Sequence, residues 1–595
     1  MLQSFILYFA TLPIILPVWE KGPMPQDFLK YDNRGYKAET EKVDLQQEGL
    51  KVKDPVFKIQ VLRRLSLLEN EDAAKVMYNY LKVETEPVLR EATLTYLYNC
   101  PPIPEQMKVV EGLINNQTSE GISAARLYCR FKGCDPAKVT SLLEGSTKAN
   151  KVLLVQAIRG NKLLKPDSLL PLLKVDSSHT YQGEVLAAIA EQPLSGKAFD
   201  LIKNTLNNGS LIQKTAVASA LHFDETSSTL LNQMSKDKHA TVRIGSARGM
   251  GAMVSEKFED TLIVLSQDKD AEVRKAACDS LRNYSSDKSI KALIKVLDDP
   301  QLLTQKKAVE SLMHISKGKD IMPLVAPSLS AGTFSPRRWA AHIAGNLVKK
   351  EHAATIDQQL RKEKNFDART EQVYALGQFK HKLDKDLITK LTKDHERVRA
   401  ALMLYLAKID VEEFFPLMHE AAMNDPVGPV RWAALEGAGI NGSPWFNKTL
   451  LDIMLDLDEE NMRDAQDRAC ACWAAGKIRG LSDKMFDQMQ LSMNRPTIPV
   501  PMGPNTFDHS SVLISIVFAC VDQSKKGGPN AERFGKYADA FVYRFVEDTR
   551  SVDFPRGYHN DFYANQAKYY LKNQKFEPKP FPKRKLSFEY KEVRK

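Results

Sequence analysis

The sequence predicts an all-α fold, a right-handed α–α superhelix of about 13 to 15 stacked helix pairs. Three observations lead there. "DKDAEVRKAACDSL" at 268–281 repeats the order of "DKHATVRIGSARGM", which begins 31 residues earlier at Asp237. The Val-Arg pair inside both stretches is one of a long series at nearly constant spacing. Between these pairs, apolar residues recur three and four apart, the period of a helix with one buried side.

Taking the Arg of each Val-Arg pair as an anchor, the series runs Lys58, Arg90, Ile122, Lys151, Gly183, Lys214, Arg243, Arg274, Gln305, Arg337, Arg369, Arg399, Arg431 and Arg468. Neighbours stand 29 to 32 residues apart, except for a last step of 37. Ile122, Gly183 and Gln305 belong by register alone, and the run from Lys214 to Arg431 is the strongest. A period near 30 residues means stacked supersecondary units. Each unit reads as two helices. "SIKALIKVLDD" at 289–299 is a first helix, with Ile290, Leu293, Ile294 and Leu297 on one face. "AEVRKAACDSL" is a second helix, with Val273, Ala277 and Leu281 inward and small residues that let its neighbours come close. Asp298, Asp299 and Pro300 make the short turn that separates the two helices. Second helices are expected to line the concave face.

An acidic residue stands six positions before the anchor at Glu84, Asp237, Asp268 and Asp425, and five before it at Asp394. There a carboxylate can cap the free N–H groups of the second helix. An anchor one turn inside that helix can reach the turn carboxylate of an adjacent unit. The expected ladder is Asp237, Arg243, Asp268, Arg274, Asp394, Arg399, Asp425 and Arg431.

"TVRIGSARGMGAM", "EVRKAACDSLRNY", "RVRAALMLYLAKI" and "PVRWAALEGAGI" resemble HEAT repeats of the short class found in bilin-lyase-like arrays. The resemblance covers roughly residues 45–490 and implies a solenoid. It implies little about activity, because that architecture hosts scaffolds, adaptors and some enzymes.

Outside the array the composition changes. Phe5 to Trp19 form an apolar run, of a length that suits a signal-peptide core better than a membrane span. No Lys or Arg precedes it, no small-residue cleavage site follows, and Pro13 and Pro17 interrupt it. Export or envelope association is the expectation, with a cytoplasmic chain as the alternative. The organisation is then 1–19 apolar segment, 20–44 linker, 45–490 solenoid, 491–530 Pro/Gly-rich linker with a last helix, and 531–595 cap and tail. Residues 534–590 hold 15 Phe and Tyr, and Phe534, Tyr537, Phe541 and Phe545 lie three or four apart, as a capping helix would need. Residues 568–595 carry ten Lys and Arg against three Glu, so the tail supplies +7 of the chain's net charge of +10.

That charge distribution argues against nucleic acid, whose binding needs clustered, unneutralised cations on the body of the array. The seven cysteines are scattered, odd in number and set among small residues, the pattern of apolar fillers. His395-Glu396 and His419-Glu420 resemble the His-Glu pairs of deoxyhypusine-hydroxylase-type HEAT enzymes, but two pairs are too few for a di-iron site. No catalytic residue, metal or cofactor is expected. Trp339, Trp432 and Trp473 all fall in second helices. Turned outward they would mark a binding face; turned inward, the favoured reading, they are core. Trp339 and Trp432, with Lys583, Arg584 and Lys585 of the tail, are the candidate contacts for a protein partner, an acidic one in the case of the tail. The functional expectation is a non-enzymatic protein-binding scaffold, with a metal hydroxylase, a bilin lyase or a nucleic-acid-binding solenoid as alternatives.

Overall fold

The computed structural model describes residues 50–51, 55–455, 465–485, 487, 515–516, 519–527 and 531–535. Those residues form helices and turns, with no strand among them. The chain divides into two compact units, residues 36–324 and residues 325–595 together with 1–35.

In the first unit the second helices of the pairs are α1 (Pro55–Leu68), α3 (Pro87–Leu97), α5 (Ser119–Tyr128), α7 (Lys148–Gly160), α9 (His179–Ala190), α11 (Leu211–Ala220), α13 (Ala240–Met253), α15 (Ala271–Leu281) and α17 (Leu302–Ile315). Between them lie α2 (Glu71–Val83), α4 (Met107–Glu111), α6 (Pro136–Thr140), α8 (Pro166–Leu169), α10 (Gly196–Asn208), α12 (Ser228–Met234), α14 (Glu259–Leu265) and α16 (Asp287–Val296). Helix α18 (Met322–Val325) spans the boundary. The second unit continues with odd-numbered α19 (Phe334–Asn346), α21 (Phe366–Phe379), α23 (Glu396–Ile409), α25 (Gly428–Asn441) and α27 (Ala465–Lys477). Even-numbered α20 (Ala353–Lys362), α22 (Lys385–Leu391), α24 (Phe415–Asn424) and α26 (Asn447–Leu455) alternate with them. Each unit is a stack of helix pairs, an α-solenoid.

All fourteen anchors fall on odd-numbered helices, thirteen of them at the fourth residue and Gly183 at the fifth. The register has a packing cause. Along α15, Val273, Ala277 and Leu281 are fully buried, and along α16 so are Ile290 and Leu293. Val296 and Leu297 close that face, while Ile294 is half-buried at its edge. Within each unit, successive odd-numbered helices lie side by side. Buried hydroxyls tie one layer to the last: Ser280 Oγ donates to Ala247 O at 2.8 Å, and Ser311 Oγ to Cys278 O at 2.8 Å. So close an approach needs small residues. A Cβ at Gly245 would sit 2.4 Å from the Ala218 carbonyl oxygen, and one at Gly345 2.9 Å from Ala375 Cα.

A second device joins the layers. The Arg243 guanidinium grips Asp268 with Nε at 2.7 Å and Nη2 at 2.7 Å, while Nη1 donates to the carbonyls of Asp237 and Lys238 in its own turn. Arg274 repeats this on Asp299 at 2.5 and 2.9 Å, and Arg399 on Asp425 at 2.8 and 2.9 Å. Arg337 binds Glu363 and Arg431 binds Asp467, both at 2.6 Å. Arg369 reaches Asp394 through Nη2 at 2.6 Å. Lys58–Glu84, Arg90–Glu120, Lys151–Asp176 and Lys214–Asp237 extend the series. Each of these ten cationic anchors therefore points one way, to the acid of the following layer. Arginine suits the place because its planar fork serves a carboxylate and the turn carbonyls together.

The acids do not cap the helices, as their position had suggested. Asp268 Oδ1 accepts the N–H of Asp270, and it is Asp270, the true N-cap, that accepts from Glu272 and Val273. Asp237, Asp299 and Asp425 likewise accept the N–H two residues on, each closing the turn before its helix. Asp299 and Glu363, absent from the sequence-derived ladder, are full members of it. Glu363 was overlooked although it stands six before Arg369; Asp299 was hidden by the neutral Gln305 that follows it.

Burial alone would raise the Asp268 carboxyl, but the Arg243 guanidinium and the Asp270 N–H outweigh it and hold the group below its usual range. For Asp237 and Glu363 the same opposition ends the same way. Tyr80, two backbone N–H groups and Lys58 bring Glu84 to about 2 against the effect of its own burial. A depressed folded pKa stabilises above the unfolded value and loses that contribution as pH falls through the folded one. The urea midpoint should thus be flat down to about pH 5 and drop steeply below about pH 4. Arg274→Met should cost about 3 kcal/mol by leaving Asp299 and two turn carbonyls unpaired. Hydrogen exchange should show the loss concentrated in α15 to α17, with Arg274→Lys intermediate. Arg361→Ala, on an exposed pair, should leave the midpoint unchanged.

Candidate interaction surface

With 3.6 residues per turn, the side of an odd-numbered helix opposite its core stripe carries the residues one and five past the anchor. The core side is fixed by contacts such as Ser246 Oγ, three past its anchor, donating to Leu231 O of α12 at 2.7 Å. Through the first unit the residue five past the anchor is solvent-exposed on helix after helix: Arg63, Thr95, Gln156, Ser219, Arg248 and Glu310. Leu127 and Ala188 are buried, and Asp279 is half-buried. The row mixes charges of both signs with neutral polar groups.

In the second unit the same register reads His342, Tyr374, Leu404, Glu436 and Trp473. Apart from the half-buried Tyr374, each has 5% exposure or less. The residues one past the anchor, Arg338, Thr370, Ala400, Trp432 and Ala469, are buried as well. Burial is continuous over 338–345, 400–407, 432–439 and 467–476, more than two turns in each case, so these helices are enclosed on every side. Nothing comparable occurs on α13, α15 or α17, where exposed or half-buried residues interrupt the buried ones.

The tryptophans follow from this. Trp339, Trp432 and Trp473 are each 3% exposed, so Trp339 and Trp432 offer no open contact to a partner. All three are buried, as the favoured reading expected. Trp432 and Trp473 stand on the outward side of their helices and are covered there. Trp432 Nε1 donates to Asp467 Oδ1 at 2.7 Å, sharing the carboxylate with Arg431, and Trp339 packs edge-on to His342 beneath the Arg338 guanidinium. Lys583, Arg584 and Lys585 lie outside the described residues, as do the apolar run 5–19 and nearly all of the proposed cap; within 531–535 Phe534 is buried.

A polar network runs along the covered side. His342 Nδ1 lies 2.9 Å from Glu371 Oε2, and the Asn346 amide 2.9 Å from His342 Nε2. Arg338 Nε, Asn346 Oδ1, Glu371 Oε1 and Trp473 Nε1 are buried without a hydrogen-bond partner. Sequence reasoning missed this region, although it had a signal. Aromatic and aliphatic residues appear there at a position outside the core stripe.

The two His-Glu pairs are apart and serve the fold. His395 starts α23, accepting from Arg397 N and stacking on Phe366 at 3.8 Å; His419 Nδ1 is 2.8 Å from Thr449 Oγ1. Among the described residues no group of three His, Cys, Asp or Glu is placed to hold a metal ion. The cysteines are free, and burial pushes the Cys278 and Cys472 thiols up to about 12, so neither is a thiolate at neutral pH. No helix among the described residues is long and apolar enough to cross a membrane.

Among solved structures the chain is similar to importin beta, at 12% identity and a TM-score of 0.40 over 90% of this chain and 85% of that one. It is also similar to Kap95 in a Kap95:Nup1 complex, at 13% identity and a TM-score of 0.38 over 92% and 94%. A third, YibA of E. coli, shares 16% identity at a TM-score of 0.32 over 48% of this chain and 98% of its own. At such identities the likeness is one of fold alone. No curated protein matches the chain. The family of HEAT repeats matches residues 227–313, the stretch holding α12 to α17 and the rungs Arg243–Asp268 and Arg274–Asp299. Residues 227–313 are thus HEAT repeats, set within an α-solenoid.

Proposed function

We propose that the protein is a non-enzymatic binding scaffold whose partner is another polypeptide, held along the open outward row of residues 36–324. One observation carries the reading: the residue five past the anchor is exposed on α1, α3, α7, α11, α13 and α17, one or two layers apart along the stack. A row of that kind presents side chains at a regular step, which matches an extended or helical polypeptide better than a compact small molecule. Its mixed signs, Arg63 and Arg248 against Glu310, favour a protein over nucleic acid, which would need cations throughout. The basic tail is a second, salt-sensitive contact for an acidic partner.

Arg248→Glu combined with Glu310→Lys reverses two charges of the row. In affinity purification from the native cell, a protein that co-purifies in fixed ratio should bind the variant about tenfold more weakly, with the thermal midpoint unchanged. An identical set of co-purifying proteins would reject the row as the binding face. Stoichiometric iron in the purified protein would overturn the scaffold reading in favour of a HEAT-repeat hydroxylase.

A further inference from the structure

Where α13, α15 and α17 end, their C-terminal turns enclose an open cleft of about 680 Å³. It continues the outward row by one turn: nine past the anchor, Ala252, Asn283 and His314 line it. Arg282 and Lys317 add two cations, Val254 and Ile315 add apolar surface, and no carboxylate is among the lining residues.

Cations near a helix C-terminus often serve only to meet its last carbonyls. Here other donors do so. Asn283 Nδ2 donates to Gly251 O at 2.9 Å, Tyr284 Oη to Met250 O at 3.0 Å, and Lys319 Nζ, from outside the lining, to Ser285 O at 2.9 Å. Arg282 keeps one exposed contact, Nη1 to Asp279 at 3.3 Å. The Lys317 ammonium has no partner among the described residues. The acids close by in the chain are engaged or stand apart. Asp279 also faces Lys307, which pairs with Glu310, and Asp287 pairs with Lys319. Asp320 accepts the Met322 N–H, and Glu256 lies outside the lining.

Two further observations mark the cleft as a place for a ligand. Val254 has φ 45° and ψ 52°, a left-handed conformation that strains a β-branched residue, and it is 52% exposed. On other helices of the first unit the left-handed residue eleven past the anchor is Glu69, Gly133 or Lys162. Gly318 has no left-handed φ, and a Cβ there would meet nothing within 4 Å. Neither backbone nor packing asks for glycine, and its missing side chain keeps the cleft open.

We infer that this cleft holds an internal segment of a polypeptide partner in which an Asp or Glu side chain stands beside an aliphatic one. The carboxylate meets Arg282 and Lys317, cations of successive layers, and the aliphatic side chain rests on Val254 over Ile315. Charge complementarity selects the acid, since the lining offers cations and nothing negative. The inference rests on the outward row being a polypeptide-binding face, and it adds what that polypeptide must carry.

Twelve-residue peptides displayed on phage and selected on the full-length chain should be enriched in Asp or Glu next to Leu, Ile or Val. The most enriched sequence, synthesised with acetylated and amidated ends so that only side chains carry charge, is the probe for titration. Arg282→Gln with Lys317→Gln should weaken its binding about tenfold and flatten the salt dependence. Val254→Gly should weaken binding severalfold while the thermal midpoint holds or rises, a combination that a purely structural role would not give. Gly318→Leu should fill the cleft and weaken binding without lowering the midpoint. Enrichment of peptides lacking an acid, no enrichment at all, or a titration indifferent to these variants would each overturn the assignment. If Arg248→Glu with Glu310→Lys keeps its co-purifying protein while Arg282→Gln with Lys317→Gln loses the probe, the row fails and the cleft stands. The reverse pattern overturns the cleft and leaves the row.

Discussion

The bidentate grip of an arginine on the carboxylate of the next layer is the contact on which the rest of this architecture depends. It joins three things that a stacked fold has to settle together. The carboxylate closes the turn ahead of one helix, the guanidinium satisfies carbonyls in the turn ahead of another, and their union fixes the distance between the two. Neither partner is exposed enough to be screened freely: the Arg243 and Asp268 side chains are 7% and 12% exposed. A buried pair of this kind need not add much net stability over an apolar substitute, but losing one member is costly. Its value here is registration. Each layer is placed on the last by a contact with a definite length and direction.

Much of this was legible in the sequence because stacking imposes a period. Thirteen anchors chosen from a Val-Arg pattern occupy the fourth position of a helix, since only there can a side chain reach back to its own turn and forward to the next acid. What was not legible has physical reasons. A carboxylate six residues before an anchor looks like an N-cap, and distinguishing it from a turn-closing residue requires knowing which N–H it accepts. Asp299 precedes a glutamine, so its own cation, Arg274, lies a whole layer earlier and no local pattern betrays the pairing. The burial of the outward side of α19 to α27 falls outside the core stripe, and a search for that stripe passes over it.

The tryptophans show how a binary question can mislead. Helical register says which way a side chain leaves its helix, and burial says whether solvent reaches it; the two need not agree. Trp473 is outward by helical register and buried by accessibility.

The ladder also has gaps, and they fall where the anchor is not a cation: at Ile122, Gly183 and Gln305. At each of these the acid's place is also without a carboxylate: Gly145, Asn208 and Ala331 stand six before Lys151, Lys214 and Arg337. One uninterrupted run therefore ends at Arg274–Asp299 and another begins at Arg337–Glu363, on either side of the division between residues 324 and 325. Within a run, opening one layer strands charges in the next, so neighbouring layers melt together. Where a rung is missing, that penalty does not apply. The pattern of anchors thus partitions the array into lengths of shared cooperativity.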